Sequence, residues 1–447
     1  MSQLLASLND RQKEAVTHDR GPLLIIAGAG TGKTTVITSK IAYLILEKNI
    51  KPEEILALTF TDKAAGEMEE RVDRLLPLGY HDLWISTFHA FAERILKDHA
   101  LEIGLPNDFK LLNATEQWLL VRRNLDRFNL DYYRPLGNPT KFIHALLKLF
   151  SRAKDECISP QQYLEYAQNL KLDSDSAEFI RDSLTEEEVK KLTKKELKEL
   201  AAEWIKKQLE IADAYHTYER LLLENNALDF GDLINYILKL FQIRKNLLLK
   251  YQQQFKYILV DEFQDTNYAQ YELVKLLAGK NQNLTVVGDD DQAIYKFRGA
   301  SISNILQFKD DFPKCREIFL VDNYRSAQPI LDLAYKFIQR NNPDRLEIKL
   351  AGDKKLSKKL ISHLSVKPEI SHLHGQALAD EAELVVGKIV NLYNSDKENN
   401  WSDFAILVRA NASSDDFCRA LDAAKAPYIF LAASGLYRKS IILDILS

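Results

Sequence analysis

The residues best suited to chemistry lie in a Gly-rich segment between an apolar run at Leu23–Ala27 and a predicted helix. Backbone N–H groups of such a turn converge on an anion at the positive end of a helix, so the pattern predicts a triphosphate site. Lys33 can reach the terminal phosphates, and the Thr34 hydroxyl can bind Mg²⁺. The first position is usually glycine and here is alanine. The predicted contacts are consecutive: Ala27, Gly28, Ala29, Gly30, Thr31, Gly32, Lys33, Thr34 and Thr35.

Two adjacent carboxylates, Asp261 and Glu262, end a second apolar run that begins at Tyr257. Beside a triphosphate, Asp261 would hold Mg²⁺ together with Thr34, and Glu262 would orient or deprotonate the attacking water. The two segments together predict Mg²⁺-dependent hydrolysis of a nucleoside triphosphate.

A third segment interleaves aromatic and cationic residues: Tyr295, Lys296, Phe297 and Arg298. Aromatic faces stack on bases of any sequence and cations contact the phosphate backbone, so the pattern is typical of a single-stranded nucleic-acid path. An ordinary strand edge with alternating core and surface residues is the alternative interpretation.

These segments need a scaffold, and the short apolar runs predict an α/β fold with a parallel sheet. The predicted strands are Leu23–Ala27, Ile55–Thr59, Leu83–Ser86, Tyr257–Asp261, Leu284–Gly288 and Ile318–Leu320. Between Gly104 and Asn226 no such run occurs, and apolar residues recur at helical spacing from Leu197 to Leu222. A second α/β stretch follows Asn323, with strands expected at Ala405–Val408 and Tyr428–Leu431 and an exposed Lys-rich loop at Lys349–Lys359.

The predicted domains are a discontinuous first α/β domain (1–104 plus 227–322), an inserted all-helical subdomain (105–226) and a second α/β domain (323–447). With 447 residues, 60 basic and 64 acidic side chains, the net charge is −4. Nucleic acid would therefore bind in a local groove. Three scattered cysteines favour a reducing compartment, and no apolar run is long enough to cross a bilayer. We expect a cytoplasmic protein, nucleoid-associated in a prokaryote, with no membrane partner.

The order of the motifs resembles superfamily 1 DNA helicases of the UvrD/Rep/PcrA type. The matching segments are residues 8–12 (LNDRQ), 58–65 (LTFTDKAA), 86–91 (STFHAF), 261–267 (DEFQDTN), 288–300 (GDDDQAIYKFRGA) and 323–326 (NYRS). The family commonly has Trp at the position of Phe297 and Asn at that of Asp62. The resemblance implies a P-loop NTPase with two RecA-like motor domains that moves 3′→5′ on single-stranded DNA, in repair, replication or recombination.

The resemblance also implies residue roles. Gln12 would select adenine and Tyr324 would stack on it. Gln292 would sense the γ-phosphate, and Arg325 would act as an arginine finger beside Lys33 and Glu262. The implied DNA contacts are Phe60, Thr61, Thr87, His89, Tyr295, Phe297 and Arg298.

Family members usually continue through further motifs beyond the position of Ser447. We therefore expect an incomplete second motor domain, a poorly active isolated chain and a possible separate C-terminal polypeptide. Besides single-stranded DNA, junctions of single and double strands are expected substrates. Two alternatives stay open here: the motor part of a RecB/AddA-type helicase–nuclease, and a DNA-binding module that uses ATP as a conformational ligand.

Overall fold

The computed structural model describes residues 3–77, 83–172, 193–293, 303–343, 345–349 and 357–430. They belong to two compact units, Met1–Val366 and Lys367–Ser447. Among the described residues, no helix is both long and apolar enough to span a bilayer.

The first unit is built on a six-stranded parallel sheet in the order β3-β2-β6-β7-β1-β8. Its strands are β1 (Leu23–Ala27), β2 (Ile55–Thr59), β3 (Trp84–Thr87), β6 (Tyr257–Val260), β7 (Leu284–Gly288) and β8 (Arg316–Leu320). Two further two-residue pairs join β4 (Lys110–Leu111) to β5 (Ala227–Leu228) and β9 (Asp322–Asn323) to β10 (Ile361–Ser362). The predicted α/β fold with a parallel sheet is confirmed.

Helices connect and cover these strands. Those of the first unit are α1 (Gln3–Ala6), α2 (Asp10–Thr17), α3 (Lys33–Leu46), α4 (Asp62–Leu75), α5 (Phe88–His99), α6 (Ala114–Arg123), α7 (Ile143–Asp155), α8 (Pro160–Leu172), α9 (Lys194–Glu224), α10 (Phe230–Ile243), α11 (Lys245–Gln254), α12 (Tyr268–Ala278), α13 (Ser303–Asp311), α14 (Gln328–Ile338) and α15 (Leu346–Lys349). The second unit has α16 (Leu378–Ser395) and α17 (Ser414–Ala423).

The sheet is buried on both faces, which explains why its strands are continuous apolar runs. Successive side chains of a strand point to opposite faces. Leu24 and Ile26 accordingly join a core with helices α5, α10 and α12, whereas Leu23 and Ile25 join a separate core with α3 and α4. A sheet held this way fixes the positions of the loops at its carboxyl edge.

The segment between β3 and β6 is mainly helical, as its spacing predicted. Tyr215 and Tyr218 of α9 both stack on Phe150 of α7, with ring centroids 4.9 and 5.4 Å apart. One detail of the prediction was wrong, because Lys110–Leu111 forms a short strand inside this segment. It pairs with Ala227–Leu228 and so joins the two ends of the insertion.

The second unit packs α16 against α17 around Val386, Leu421 and Ala426. Two predicted strands were wrong here: Ala405–Val408 and the described part of Tyr428–Leu431 are irregular. Leu407 is 95% and Ile429 84% exposed. An apolar run becomes a strand only when a neighbouring strand accepts its hydrogen bonds, and within the described residues these two runs have none.

Candidate active site at the carboxyl edge of the sheet

The Gly-rich loop follows β1 and closes onto the first turn of α3. Gly30 and Gly32 have φ of 74° and 85°, a region that side chains with a Cβ rarely adopt. Thr31 holds the loop by donating from its N–H (3.3 Å) and its hydroxyl (2.8 Å) to the Gly28 carbonyl. Gly32 is the N-cap of α3, so the free N–H groups of the helix start face the loop. This geometry suits a phosphate group.

Residues that follow β8 lie directly on this loop. The Asn323 side-chain amide donates to the Ala29 carbonyl (2.6 Å), and the Tyr324 N–H donates to the Gly30 carbonyl (3.0 Å). A Cβ on Gly30 would lie 2.6 Å from the Arg325 Cβ. The Cβ of the exposed Arg325 therefore lies beside the loop, which is where the predicted arginine finger would be needed.

Side chains from the segments that follow β1, β6 and β7 converge beside the loop. The Lys33 ammonium donates to the Glu262 carboxylate (2.7 Å) and to the Gln292 side-chain oxygen (3.3 Å). Asp261 is 4% exposed and accepts a hydrogen bond from Thr34. Burial, and then the neighbouring charge of Glu262, raise the pKa of Asp261 to about 6. A buried carboxylate with a raised pKa gains from a nearby cation, so Asp261 and Thr34 fit a magnesium site.

The backbone places Glu262 by an unusual conformation. Its φ and ψ are 49° and 44°, in the left-handed region, which costs free energy for a residue with a Cβ. Gln264 then fixes the carboxylate by donating to Glu262 Oε2 at 2.7 Å. Gln264 lies within the motif at residues 261–267, but the sequence predicts no role for it, because its contacts depend on the fold.

The predicted adenine residues lie on the other side of the loop. Gln12 is buried, donates from Nε2 to the Thr31 carbonyl (3.0 Å) and accepts from the Asn9 N–H (3.0 Å). Tyr324 is 44% exposed and its hydroxyl accepts from Asn9 Nδ2 at 2.9 Å. The His363 ring stacks on Tyr324 with centroids 4.9 Å apart. Asn9 thus links the two residues predicted to hold adenine.

The predicted DNA residues that are described lie at the ends of β2 and β3. Thr61 and Thr87 cap α4 and α5 by accepting the N–H groups of Ala64 (3.1 Å) and Ala90 (3.2 Å). Phe60 is half-buried just before Thr61.

His89 follows Thr87, and burial lowers its pKa. Its ring meets Phe230 edge-on at 5.6 Å, and Phe230 is 46% exposed. Phe230 is a candidate DNA contact that the sequence reasoning missed, since its proximity to His89 depends on the fold. Tyr295, Phe297 and Arg298 lie outside the described residues.

A parallel sheet with this Gly-rich loop, and with a lysine, paired carboxylates and a glutamine at its carboxyl edge, is characteristic of the P-loop nucleoside triphosphatase fold of the RecA-like class. The family model for the UvrD/REP helicase N-terminal domain matches residues 8–313, and that for the UvrD-like helicase C-terminal domain matches residues 318–447. The chain belongs to the UvrD/Rep helicase family.

Similar proteins include three named ATP-dependent DNA helicase PcrA. That of Bacillus subtilis is 39% identical over 100% of this chain and 53% of its own length. That of Leuconostoc citreum is 37% identical over 99% and 52%, and that of Staphylococcus epidermidis is 38% identical over 100% and 54%. The chain therefore spans about half the length of the curated relatives it matches.

Proposed function

We propose that this chain carries the nucleotide site of an ATP-dependent DNA helicase that moves 3′→5′ along single-stranded DNA. The observation that supports this most strongly is the convergence of Lys33, Glu262 and Gln292 within 3.3 Å at the Gly-rich loop. The names of the relatives supply the DNA substrate. They favour neither a helicase–nuclease nor a DNA-binding module without turnover.

In the proposed ATPase, Gln12 and Tyr324 hold adenine and the loop residues bind the phosphates. Thr34 and Asp261 hold Mg²⁺, which when bound neutralises charge on the phosphate oxygens. Glu262 accepts a proton from the attacking water, and Gln264 keeps its carboxylate oriented.

Gln292, Lys33 and Arg325 meet the charge that develops on the γ-phosphate. Preorganised cations and amide groups stabilise such charge more in the transition state than in the bound nucleotide. Because Asn323 and Tyr324 donate hydrogen bonds to the Gly-rich loop, nucleotide binding should be coupled to the position of the Asn323–Arg325 segment.

The proposed DNA path follows the carboxyl ends of β2 and β3, beside the nucleotide site. Thr61 and Thr87 mark two helix N-termini that favour phosphate. Phe60, His89 and Phe230 offer rings to bases, and Tyr295, Phe297 and Arg298 would extend the path. The expected substrates are single-stranded DNA and junctions of single and double strands. The expected location is the cytoplasm or the nucleoid.

The Glu262→Gln variant tests the catalytic assignment. It removes the group that accepts the proton while keeping a similar shape, so ATP should still bind and turnover should fall by about 10²–10⁴-fold. Glu47→Gln is the matched control, because Glu47 is exposed at the far end of the helix that begins at Lys33. Equal turnover in the two variants would contradict the assignment.

A further inference from the structure

A buried ammonium group lies beside the nucleotide site and has no role in the proposed chemistry. Lys358 is 7% exposed, although the sequence pattern predicted an exposed loop there; for this residue the prediction was wrong. Its Nζ contacts the carboxylates of three consecutive residues, Asp289 (2.7 Å), Asp290 and Asp291 (2.9 Å). Three neighbouring carboxylates with little solvent need a cation, which explains why this lysine is buried.

A second cation completes the cluster. The Arg345 guanidinium donates from Nε (2.8 Å) and from Nη2 (2.7 Å) to the two oxygens of Asp291. Its Nη1 lies 2.8 Å from Glu347, which also accepts the Lys358 N–H at 3.0 Å. Paired hydrogen bonds of this kind fix direction as well as distance. Arg345, Glu347 and Lys358 therefore hold one another and Asp291 through several directed contacts.

One carboxylate links the cluster to the proposed γ-phosphate sensor. Asp289 accepts Lys358 Nζ on Oδ1 and the Gln292 side-chain amide on Oδ2, the latter at 2.7 Å. The Gln292 oxygen is then directed to Lys33. The N–H of Asp289 donates to Gln264 (3.0 Å), which in turn holds Glu262. Asp289 thus contacts both amides that orient groups at the nucleotide site.

From these contacts we infer that Lys358, supported by Arg345, is a positioning residue for γ-phosphate recognition. Lys358 holds the Asp289 carboxylate, which sets the rotation of the Gln292 amide and so decides which atom Gln292 presents to Lys33 and the nucleotide. The inference rests on the proposed function. It adds that Lys358 and Arg345 control recognition of the third phosphate without contacting the nucleotide.

The experiment compares the affinity of the chain for Mg²⁺–ADP with that for a Mg²⁺–ATP analogue whose terminal bridge is an imido group. The dissociation constant for ADP divided by that for the ATP analogue reports the contribution of the γ-phosphate alone, and measuring it needs no turnover. Lys358→Met should leave ADP binding within about twofold and reduce the ratio by about tenfold, as loss of an orienting partner typically does. Lys358→Arg should recover part of it. Lys359→Met is the control, since that exposed neighbour pairs only with Asp332 among the described residues.

A double-mutant cycle with Gln292→Ala separates positioning from a general structural effect. If Lys358 acts through Gln292, Lys358→Met should change the ratio little in the Gln292→Ala background. Additive effects of the two substitutions would overturn the inference. A parent chain that binds both nucleotides equally would overturn the proposed function itself, and the inference with it.

Removing a buried cation can also unfold the protein. Lys358→Met with Asp290→Asn removes one charge of each sign, and it keeps an oxygen at position 290 for the Leu346 N–H. The melting temperature of this double variant should lie closer to that of the parent than the melting temperature of Lys358→Met does. Its ratio of dissociation constants should still be reduced. A parental ratio in this folded double variant would overturn the inference.

Discussion

Gly30→Ala is the substitution for which the structure gives the sharpest expectation. The residue has a φ of 74°, and an added Cβ would lie 2.6 Å from both the Arg325 Cβ and the Asn323 amide nitrogen. The left-handed backbone costs about 1–2 kcal/mol for a residue other than glycine. Overpacking against the neighbours costs about 1–3 kcal/mol more. The strain totals roughly 2–5 kcal/mol if nothing moves.

The strain is relieved if the Asn323–Arg325 segment moves off the loop, because the loop itself is fixed between β1 and α3. That movement breaks the contacts of Asn323 with Ala29 and of Tyr324 with Gly30. It also displaces Arg325. Misplacement of a catalytic group by about 1 Å can lower turnover by about 100-fold, and we expect a loss of that order.

The assay is steady-state ATP turnover together with thermal melting. The control is Gly387→Ala, at an exposed position in helix α16 where a Cβ meets nothing within 4 Å. It should keep parental turnover and gain about 0.5–1 kcal/mol of stability, since alanine is the better helix former. A Gly30→Ala chain that melts and hydrolyses ATP like the parent would refute the argument that this close approach matters.

Two further predictions follow from the first unit. Lys40 is buried, donates to the carbonyls of Ala15 (3.0 Å) and His18, and has a pKa lowered by burial from 10.5 to about 7. Because the unfolded chain then binds more protons between pH 7 and 10.5, the free energy of unfolding should rise with pH in this range by up to about 1.4 kcal/mol per unit. Denaturant titrations should show the slope in the parent and lose it in Lys40→Met; an equal slope in both would contradict the burial effect. Phe230→Ala should weaken single-stranded DNA binding by about 1–3 kcal/mol with little dependence on base sequence. Unchanged affinity in fluorescence titrations would mean that the ring serves only to pack against His89.

The strands and the loop could be predicted because their signals are local. Consecutive apolar residues marked β1, β2, β6 and β7, and the glycines before Lys33 marked the loop between β1 and α3. The burial of Lys358 could not be predicted, because its partner Asp289 lies 69 positions away in the sequence. The two side chains form an ion pair only when the fold brings them together. The left-handed conformation of Glu262 is likewise set by the surrounding strands. Ala405–Val408 has the composition of a strand, but composition alone does not show whether another strand lies beside it to pair with.

The most direct test of the proposed motor is ATP turnover by this chain with and without single-stranded DNA. Phosphate release is measured at saturating Mg²⁺–ATP while an unstructured oligonucleotide is added. DNA should increase the rate, and Glu262→Gln should lower both the basal and the stimulated rate by at least about 100-fold while nucleotide still binds. A rate that is unaffected by DNA, or that survives in Glu262→Gln, would contradict the assignment of this site to a DNA-dependent ATPase.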